Sequence, residues 1–258
     1  MATQARQQNA LTEFFTGFGL LFRGFGLVGR NPRLLLLGLV PGVISLALVL
    51  TALGFLVYFA NDLAAAVTWF ADDWAQDARN ALRLVAVVAL VGVALVLSIL
   101  TFTALTLTIG DPFYEAISGK VDERFGGVPG AQDLPWHRTL VRNLVDSLRL
   151  LALSVAASAV LFVLGLTPVI GQTVVPVIGA TIGGWLLAVE ISGIPFNRRG
   201  LRLRDRRRLL RANRALALGF GVPVFVVFLV PFLAVLVMPG AVAGATLLTR
   251  RVLGQPYE

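Results

Sequence analysis

Four long apolar stretches, separated by short polar or charged segments, dominate the sequence. They cover residues 34–59, 82–109, 148–195 and 216–249. A bilayer core of about 30 Å is crossed by about 20 apolar residues in a helix that rises about 1.5 Å per residue. The first two stretches therefore predict transmembrane helices over 34–59 and 82–109. Because a helix satisfies its own backbone hydrogen bonds, the whole pattern predicts an all-α integral membrane protein.

Two prolines, Pro168 and Pro176, interrupt the third apolar stretch. Proline removes a backbone donor and clashes with a continuing helix, so we expect the chain to turn back between them. Residues 148–195 then form a helical hairpin with Gln172 and Thr173 at its tip. Non-helical backbone at membrane depth persists only where protein buries it or where it lines a wet cavity. The tip is therefore a candidate lining for a pathway.

The fourth stretch is also interrupted by two prolines, and its apolar arms are shorter. Pro231 and Pro239 have the same spacing as the first pair, and the apolar arms beside them are shorter than the about 17 residues that a span requires. We predict a re-entrant hairpin over 216–249, which enters and leaves on one side. Paired broken segments point to a transporter-type site. The alternative is that the prolines merely end helices at the lipid headgroups.

Residues 9–31 predict an amphipathic helix that lies in the membrane interface. Apolar side chains recur there at helical spacing and form one face, which comprises Phe14, Phe18, Leu21, Phe22 and Phe25. Five glycines between positions 17 and 29 argue against a stable helix, since each costs about 1 kcal/mol relative to alanine.

The composition excludes a soluble domain. Of the 258 residues, 57% are hydrophobic and 14% are charged, whereas soluble domains are about 25% charged. Cysteine is absent and one histidine cannot build a zinc centre. The sequence contains no phosphate-binding loop with a lysine and no nucleophile elbow. We therefore predict a single membrane domain that is not an enzyme, with no catalytic residue, metal site or cofactor.

Arginines are concentrated in segments that fall on one side of the predicted topology. Basic clusters lie at 23–33, within 110–147, along 198–214 and at 250–251, whereas the loop between the first two spans is acidic. Because cytoplasmic loops are the basic ones, both termini and the segments 110–147 and 198–214 are predicted to be cytoplasmic. The 198–214 segment is expected to face anionic lipid rather than nucleic acid. The mostly arginine basic complement further suggests a GC-rich bacterial genome, so the predicted location is a bacterial plasma membrane.

Polar residues beside the apolar stretches are candidates for binding. Arg30, Asn31 and Arg33 precede the first span, where a helix N-terminus attracts anions. The alternative is that these arginines only snorkel to the cytoplasmic interface. Glu190 lies late in an apolar run, where a charge is costly and suggests function. The alternative for Glu190 is an interfacial ion pair, with Arg198 as the partner.

Two further acidic residues are assigned a structural role. Asp111 can cap a helix that begins at Pro112, which is a favourable first-turn residue. Glu115 would stabilise the positive end of the same helix. We rank capping above transport for Asp111.

Several motifs together resemble the CysZ-type sulfate permease family. They are Asn31-Pro32-Arg33, Asp111-Pro112-Phe113-Tyr114-Glu115, the Ile170-Gly171-Gln172-Thr173 tip, the Pro195-Phe196-Asn197 exit from the hairpin, and Pro231 to Pro239 with Gly244-Ala245-Thr246. The resemblance covers nearly the whole chain, and its tip and exit motifs are the most specific. The exit motif adds Asn197 to the candidate pathway residues.

The resemblance implies two long transmembrane helices, two partly penetrating hairpins, a homo-oligomer, and inward conduction of sulfate without an ATPase. In the family, an arginine pair about one turn into the first long helix looks like an anion site. Leu35 and Leu36 occupy those positions here. The residues alone also fit a different class, a non-transport membrane protein that binds or organises lipid or partner membrane proteins.

Overall fold

The computed structural model describes residues 2–128, 136–167 and 170–258. The regular secondary structure of these residues is helical. No strand occurs among these residues. Six of their helices are long and apolar enough to cross a membrane, or seven if one bent pair counts as a span. The predicted all-α membrane fold is therefore confirmed.

The described residues form ten α-helices and one short 3-10 turn, Trp69–Ala71. In chain order the helices are α1 (Ala2–Gly29), α2 (Pro32–Tyr58), α3 (Ala60–Val67), α4 (Gln76–Arg124), α5 (Trp136–Gly165), α6 (Ile170–Ile191), α7 (Gly193–Asn197), α8 (Leu203–Ala212), α9 (Arg214–Phe228) and α10 (Pro231–Val252).

The chain divides into two compact units. The first comprises Met1–Gly38 and Pro112–Glu258, and the second comprises Leu39–Asp111. In the second unit, α3 and the 3-10 turn connect α2 to α4, and Ala60, Ala64 and Ala71 are buried. The Arg83 guanidinium lies 2.7 Å from the Asp72 carboxylate in this connection. That ion pair is largely exposed, so it adds little stability.

Helix α1 packs against α9 and α10 in the first unit. Gly24 makes this possible, because a methyl group added there would meet the backbone of Gly240 and lie 2.8 Å from the Gly244 Cα atom. Small residues four apart on one helix allow such a close approach in membranes. Two of the five glycines expected to weaken α1, Gly17 and Gly24, instead form close helix contacts.

The packed face of α1 also differs from the predicted one. Leu20, Leu21 and Val28 are buried, whereas Phe18 and Phe22 are exposed. The predicted face was chosen by helical spacing, and of its members Leu21 is buried whereas Phe18 and Phe22 are not. The helix instead buries the side where glycines let two backbones approach.

A second close contact joins α6 to α9. A methyl group at Gly221 would meet the Gly184 carbonyl oxygen and lie 2.8 Å from the Ala188 Cβ atom. Phe220 and Val224, on the same helix, are fully buried. The two predicted hairpins are therefore packed together through small residues rather than separated by lipid.

The expectation that prolines break the helices is corrected at three positions. Pro112 lies inside α4, Pro176 inside α6 and Pro239 inside α10. Each proline removes one hydrogen bond, whereas ending the helix there would expose several backbone groups to apolar surroundings. The second long helix consequently runs from Gln76 to Arg124, beyond the predicted 82–109.

The hairpins turn at other residues than expected. The first one turns between α5 and α6, next to Gly165, and Pro168 lies outside the described residues. The second turns at Leu229 and Val230, and Pro231 then begins α10, where its missing N–H is tolerated. Because α10 continues through Pro239, the second arm has 22 residues rather than the short run predicted, while α9 has 15.

Candidate functional site

The start of α2 is closed by Asn31. Its Oδ1 atom accepts a hydrogen bond from the Arg33 backbone N–H at 3.1 Å. Its carbonyl oxygen accepts from the N–H groups of Leu34 and Leu35, both at 3.0 Å. Pro32 has no N–H. The N–H groups of the first turn are thus already bonded within the chain. The start of α2 can therefore attract an anion through the helix dipole but not through these N–H groups.

A cleft of about 440 Å³ lies beside this helix start. Its charged lining consists of Arg33 from α2 with Lys120, Glu123 and Arg124 from α4. Three cationic side chains therefore face a single carboxylate. Arg33 and Arg124 are exposed, which leaves them able to meet a solvated anion. Arg30 is exposed as well but does not line the cleft.

Lys120 and Arg124 were not among the residues selected from the sequence. They are four positions apart on α4, so their side chains share one helix face. The signal was available as an i, i+4 basic pair. The sequence alone did not show that the end of α4 lies beside the start of α2, which is what makes this basic pair a candidate for anion binding.

On the same turn of α4, the Asp122 carboxylate is buried among arginines. Its Oδ1 lies 2.6 Å from Arg199 Nη2 and 2.9 Å from Arg250 Nη1. The Arg198 Nε atom is 3.6 Å from Oδ2. Asp122 and Arg250 each expose 1% of their surface. One carboxylate therefore draws together α4, α10 and the segment after α7.

Backbone carbonyls satisfy the rest of the buried Arg250 guanidinium. Its Nε donates to the Pro256 oxygen at 2.5 Å, its Nη1 donates to the Gly127 oxygen at 2.9 Å, and its Nη2 donates to the Phe125 oxygen. A buried charge is tolerated when it is paired and fully hydrogen-bonded. Arg250 is a structural anchor for the C-terminal tail, in contrast to the surface role assigned to all the arginine clusters.

The predicted hairpin tip is helical. Gln172 and Thr173 lie in the first turn of α6, and both are exposed. The Gly171 N–H is bonded to the Thr167 carbonyl oxygen at 2.9 Å. A methyl group at Gly171 would meet the Gly165 carbonyl, so the chain turns tightly there. The expectation of non-helical backbone at Gln172 and Thr173 is corrected.

Asn197 and Glu190 occupy different environments. The Asn197 Oδ1 atom accepts a hydrogen bond from Arg206 Nη2 at 3.4 Å, and Arg206 is buried and also donates to the Val189 carbonyl at 3.0 Å. Glu190 is exposed on α6. The Nε atom of Arg198, its expected partner, lies 3.6 Å from the Asp122 carboxylate.

Asp111 does not cap a helix. It lies in the interior of α4, which is continuous through Pro112, and its turn has no free N-terminal donors to cap. Glu115 is exposed on the same helix. The capping assignment for these two residues is corrected.

The structure thus brings Asn31 and Arg33 together with Lys120 and Arg124, while Gln172 and Thr173 lie on α6. Leu35 and Leu36 are exposed on α2. Among the described residues, no group of three or more histidine and acidic side chains could hold a metal ion.

Comparisons with known proteins agree on one family. The family model described as Sulfate transporter CysZ/Etoposide-induced protein 2.4 matches residues 20–239. A protein named Sulfate transporter CysZ from Pseudomonas fluorescens is 31% identical over 157 residues, 60% of this chain and 63% of the relative. A protein of the same name from Vibrio parahaemolyticus is 33% identical over 56% of this chain and 60% of its own length.

A longer alignment extends the similarity along the chain. The protein named Sulfate transporter CysZ from Pectobacterium atrosepticum is 27% identical over 233 residues, which cover 90% of this chain and 83% of the relative. For the two more similar relatives above, the match spans about three fifths of their length.

Proposed function

This chain belongs to the sulfate transporter CysZ/etoposide-induced protein 2.4 family, and from that membership we propose that it is a permease that admits sulfate through a bacterial inner membrane. The observation that carries the proposal is the family match over residues 20–239. The names of the bacterial relatives supply the substrate. Transport requires no catalytic residue, and we assign none.

Sulfate is a dianion, so a permease must offset the loss of its hydration with positive charge and donors. We propose that the cleft between α2 and α4 provides the cytoplasmic site. Arg33, Lys120 and Arg124 supply the charge there, in place of the family's arginine pair at Leu35 and Leu36. The α2 dipole and the exposed Arg30 add positive potential from outside the cleft.

The exposed side chains of Gln172 and Thr173 provide hydrogen-bonding groups at the first turn of α6. We assign them to the pathway because an amide and a hydroxyl can replace water around an anion without holding it tightly. Glu190 and Asn197 are proposed to line its cytoplasmic exit. The contact between Asn197 and Arg206 supports a positioning part for Asn197.

We propose that both termini are cytoplasmic, since the basic clusters share that side. The ion pairs between Glu13 of α1 and Arg251 of α10, at 2.7 Å, and between Arg23 and Glu258, at 3.2 Å, join α1 to the C-terminal end of the chain, which agrees with both termini on one side. A reporter fused after Glu258 should be active in the cytoplasm, and one inserted at Asp72 should be active outside. The opposite pattern contradicts the orientation.

We also propose a homo-oligomer in the membrane. No residue in the most apolar part of α4 is buried within one chain, so this surface is open to another copy or to lipid. Crosslinking in native membranes through single cysteines along α4 should trap a defined oligomer. A monomer at every position contradicts this part of the proposal.

Growth provides the cellular test of sulfate uptake. A bacterial strain that lacks its own sulfate permeases should grow on sulfate as sole sulfur source when it expresses this chain. Cysteine should restore growth with or without the chain, which controls for toxicity. Expression at the membrane without growth on sulfate would contradict the proposal.

A further inference from the structure

Helix α8 has two distinct faces. Leu203, Arg206 and Leu210 are buried against the rest of the first unit, and Arg204, Arg208 and Arg211 are exposed. The exposed arginines recur at spacings of four and three residues, so they share one side of the helix. A short helix of this kind presents a row of guanidinium groups at a surface.

The row forms one wall of a cleft of about 670 Å³. Arg149 of α5 joins α8 at this cleft, whose charged lining is Arg149, Arg204, Asp205, Arg207, Arg208 and Arg211. The Asp205 carboxylate also accepts a hydrogen bond from the Arg202 backbone N–H at 3.1 Å, as part of the cap of α8. Five guanidinium groups and one carboxylate leave a strong excess of positive charge.

The cleft continues into an apolar surface on α5. Arg149 stands at the beginning of the apolar window Leu148–Gly165. Leu153 and Val160, four and eleven positions after Arg149, lie on the same side of the helix, and both are exposed. A ligand held by the arginines therefore has an apolar wall of membrane-spanning length beside it.

The bend between α8 and α9 allows this cleft to lie at headgroup depth. Helices α8 and α9 are bent by 106° at their junction. If the apolar α9 enters the bilayer steeply, α8 lies nearly parallel to the membrane plane, with its arginines at the surface. Arginine forks bind phosphate oxygens in bidentate fashion, and the cytoplasmic leaflet is rich in anionic lipid.

From these observations we propose that the cleft between α5 and α8 is a binding site for an anionic phospholipid, with its phosphate on Arg204 and Arg208 and an acyl chain along Leu153 and Val160. The arginines alone would also accept a free phosphate or sulfate ion. The adjoining apolar wall favours the lipid, because a free anion gains nothing from it. This site is separate from the cleft assigned to sulfate.

Binding of a fluorescent short-chain phosphatidylglycerol to the purified full-length protein in detergent tests the proposal. The parent should bind phosphatidylglycerol more tightly than phosphatidylcholine. R204Q/R208Q should weaken binding by about tenfold or more, because charge-assisted hydrogen bonds are lost. R23Q/R214Q removes the same charge at two exposed positions outside the cleft and should change binding less than about twofold.

Two further arms separate a lipid from a free anion. Leu153→Gln should weaken binding of phosphatidylglycerol but not of glycerophosphoglycerol, its headgroup without acyl chains. Unchanged binding in R204Q/R208Q, an equal loss in the control pair, or binding of inorganic phosphate as tight as that of the lipid would each overturn the proposal. No flux is measured, so failure here leaves the sulfate proposal untouched.

Discussion

The carboxylate of Asp122 lies 2.9 Å from the guanidinium of Arg250, although 128 residues separate them in sequence. Both side chains are almost fully buried. Removing two charges from water costs free energy that offsets much of their mutual attraction, so the ion pair adds little net stability. Its main effect is to favour one arrangement of α4 and α10. The same carboxylate holds Arg199, which also donates to Gln255 of the C-terminal tail at 2.9 and 3.0 Å.

Replacing Asp122 with asparagine should destabilise the protein strongly. Arg199 and Arg250 would remain buried without a counter-charge, which typically costs about 3–5 kcal/mol. Thermal unfolding in detergent should show a markedly lower Tm. Asp62→Asn, at an exposed position in the second unit, removes the same charge and should leave the Tm nearly unchanged. Equal melting of the two variants would show that the arginine cluster does not hold the fold together.

Glycine packing can be tested with two alanine substitutions in one helix. Gly24→Ala should destabilise by about 1–3 kcal/mol, because the new methyl group meets the backbone of α10, which cannot move aside easily. Gly26→Ala meets no atom within 4 Å and should be neutral or stabilising by up to about 1 kcal/mol. Both changes are to be measured by unfolding in detergent. A harmless Gly24→Ala would argue against the close contact between α1 and α10.

These two glycines show what the sequence alone could not predict, namely which glycines of α1 contact another helix. Composition counts every glycine as a weak helix residue, and nothing local distinguishes Gly24 from Gly26. The distinction comes from Gly240 and Gly244, more than 200 positions away. Their spacing of four was visible in the sequence, but the helix that they would contact was not.

The all-α membrane fold could be predicted because apolar runs of spanning length have few other structures available. Helix ends could not be placed so well. The prediction assumed that proline ends a helix, as it usually does in soluble proteins. Pro112, Pro176 and Pro239 nevertheless lie inside helices. Buried arginines were missed for a related reason. Arg250 follows an apolar run, as positive-inside residues do, and only the fold places Asp122 beside it.

Charge in the sulfate cleft should control flux. Arg33→Gln should lower sulfate flux by about tenfold, because a charge-assisted contact to the anion is lost, and Arg33→Lys should retain more of it. Arg30→Gln, outside the cleft, should have a smaller effect. Flux is measured in vesicles with equal amounts of inserted protein. A greater loss with Arg30→Gln than with Arg33→Gln would place the anion elsewhere.

The hairpin tip makes a second flux prediction. Gln172→Leu should reduce sulfate flux by about fivefold, which corresponds to one lost hydrogen bond of about 1 kcal/mol. Gln172→Glu should reduce it further, since a carboxylate repels the dianion, while Gln172→Asn keeps the amide. The order asparagine, leucine, glutamate in falling flux supports a pathway role. If sulfate flux is unchanged in all three variants, Gln172 is not part of the pathway.

Uptake of labelled sulfate into proteoliposomes tests the central claim most directly. The account predicts that vesicles containing the parent protein accumulate sulfate faster than protein-free vesicles, that unlabelled sulfate and related oxyanions compete, and that Arg33→Gln slows the uptake. No flux of any oxyanion through correctly inserted parent protein would contradict it, and would favour a membrane protein that organises lipid.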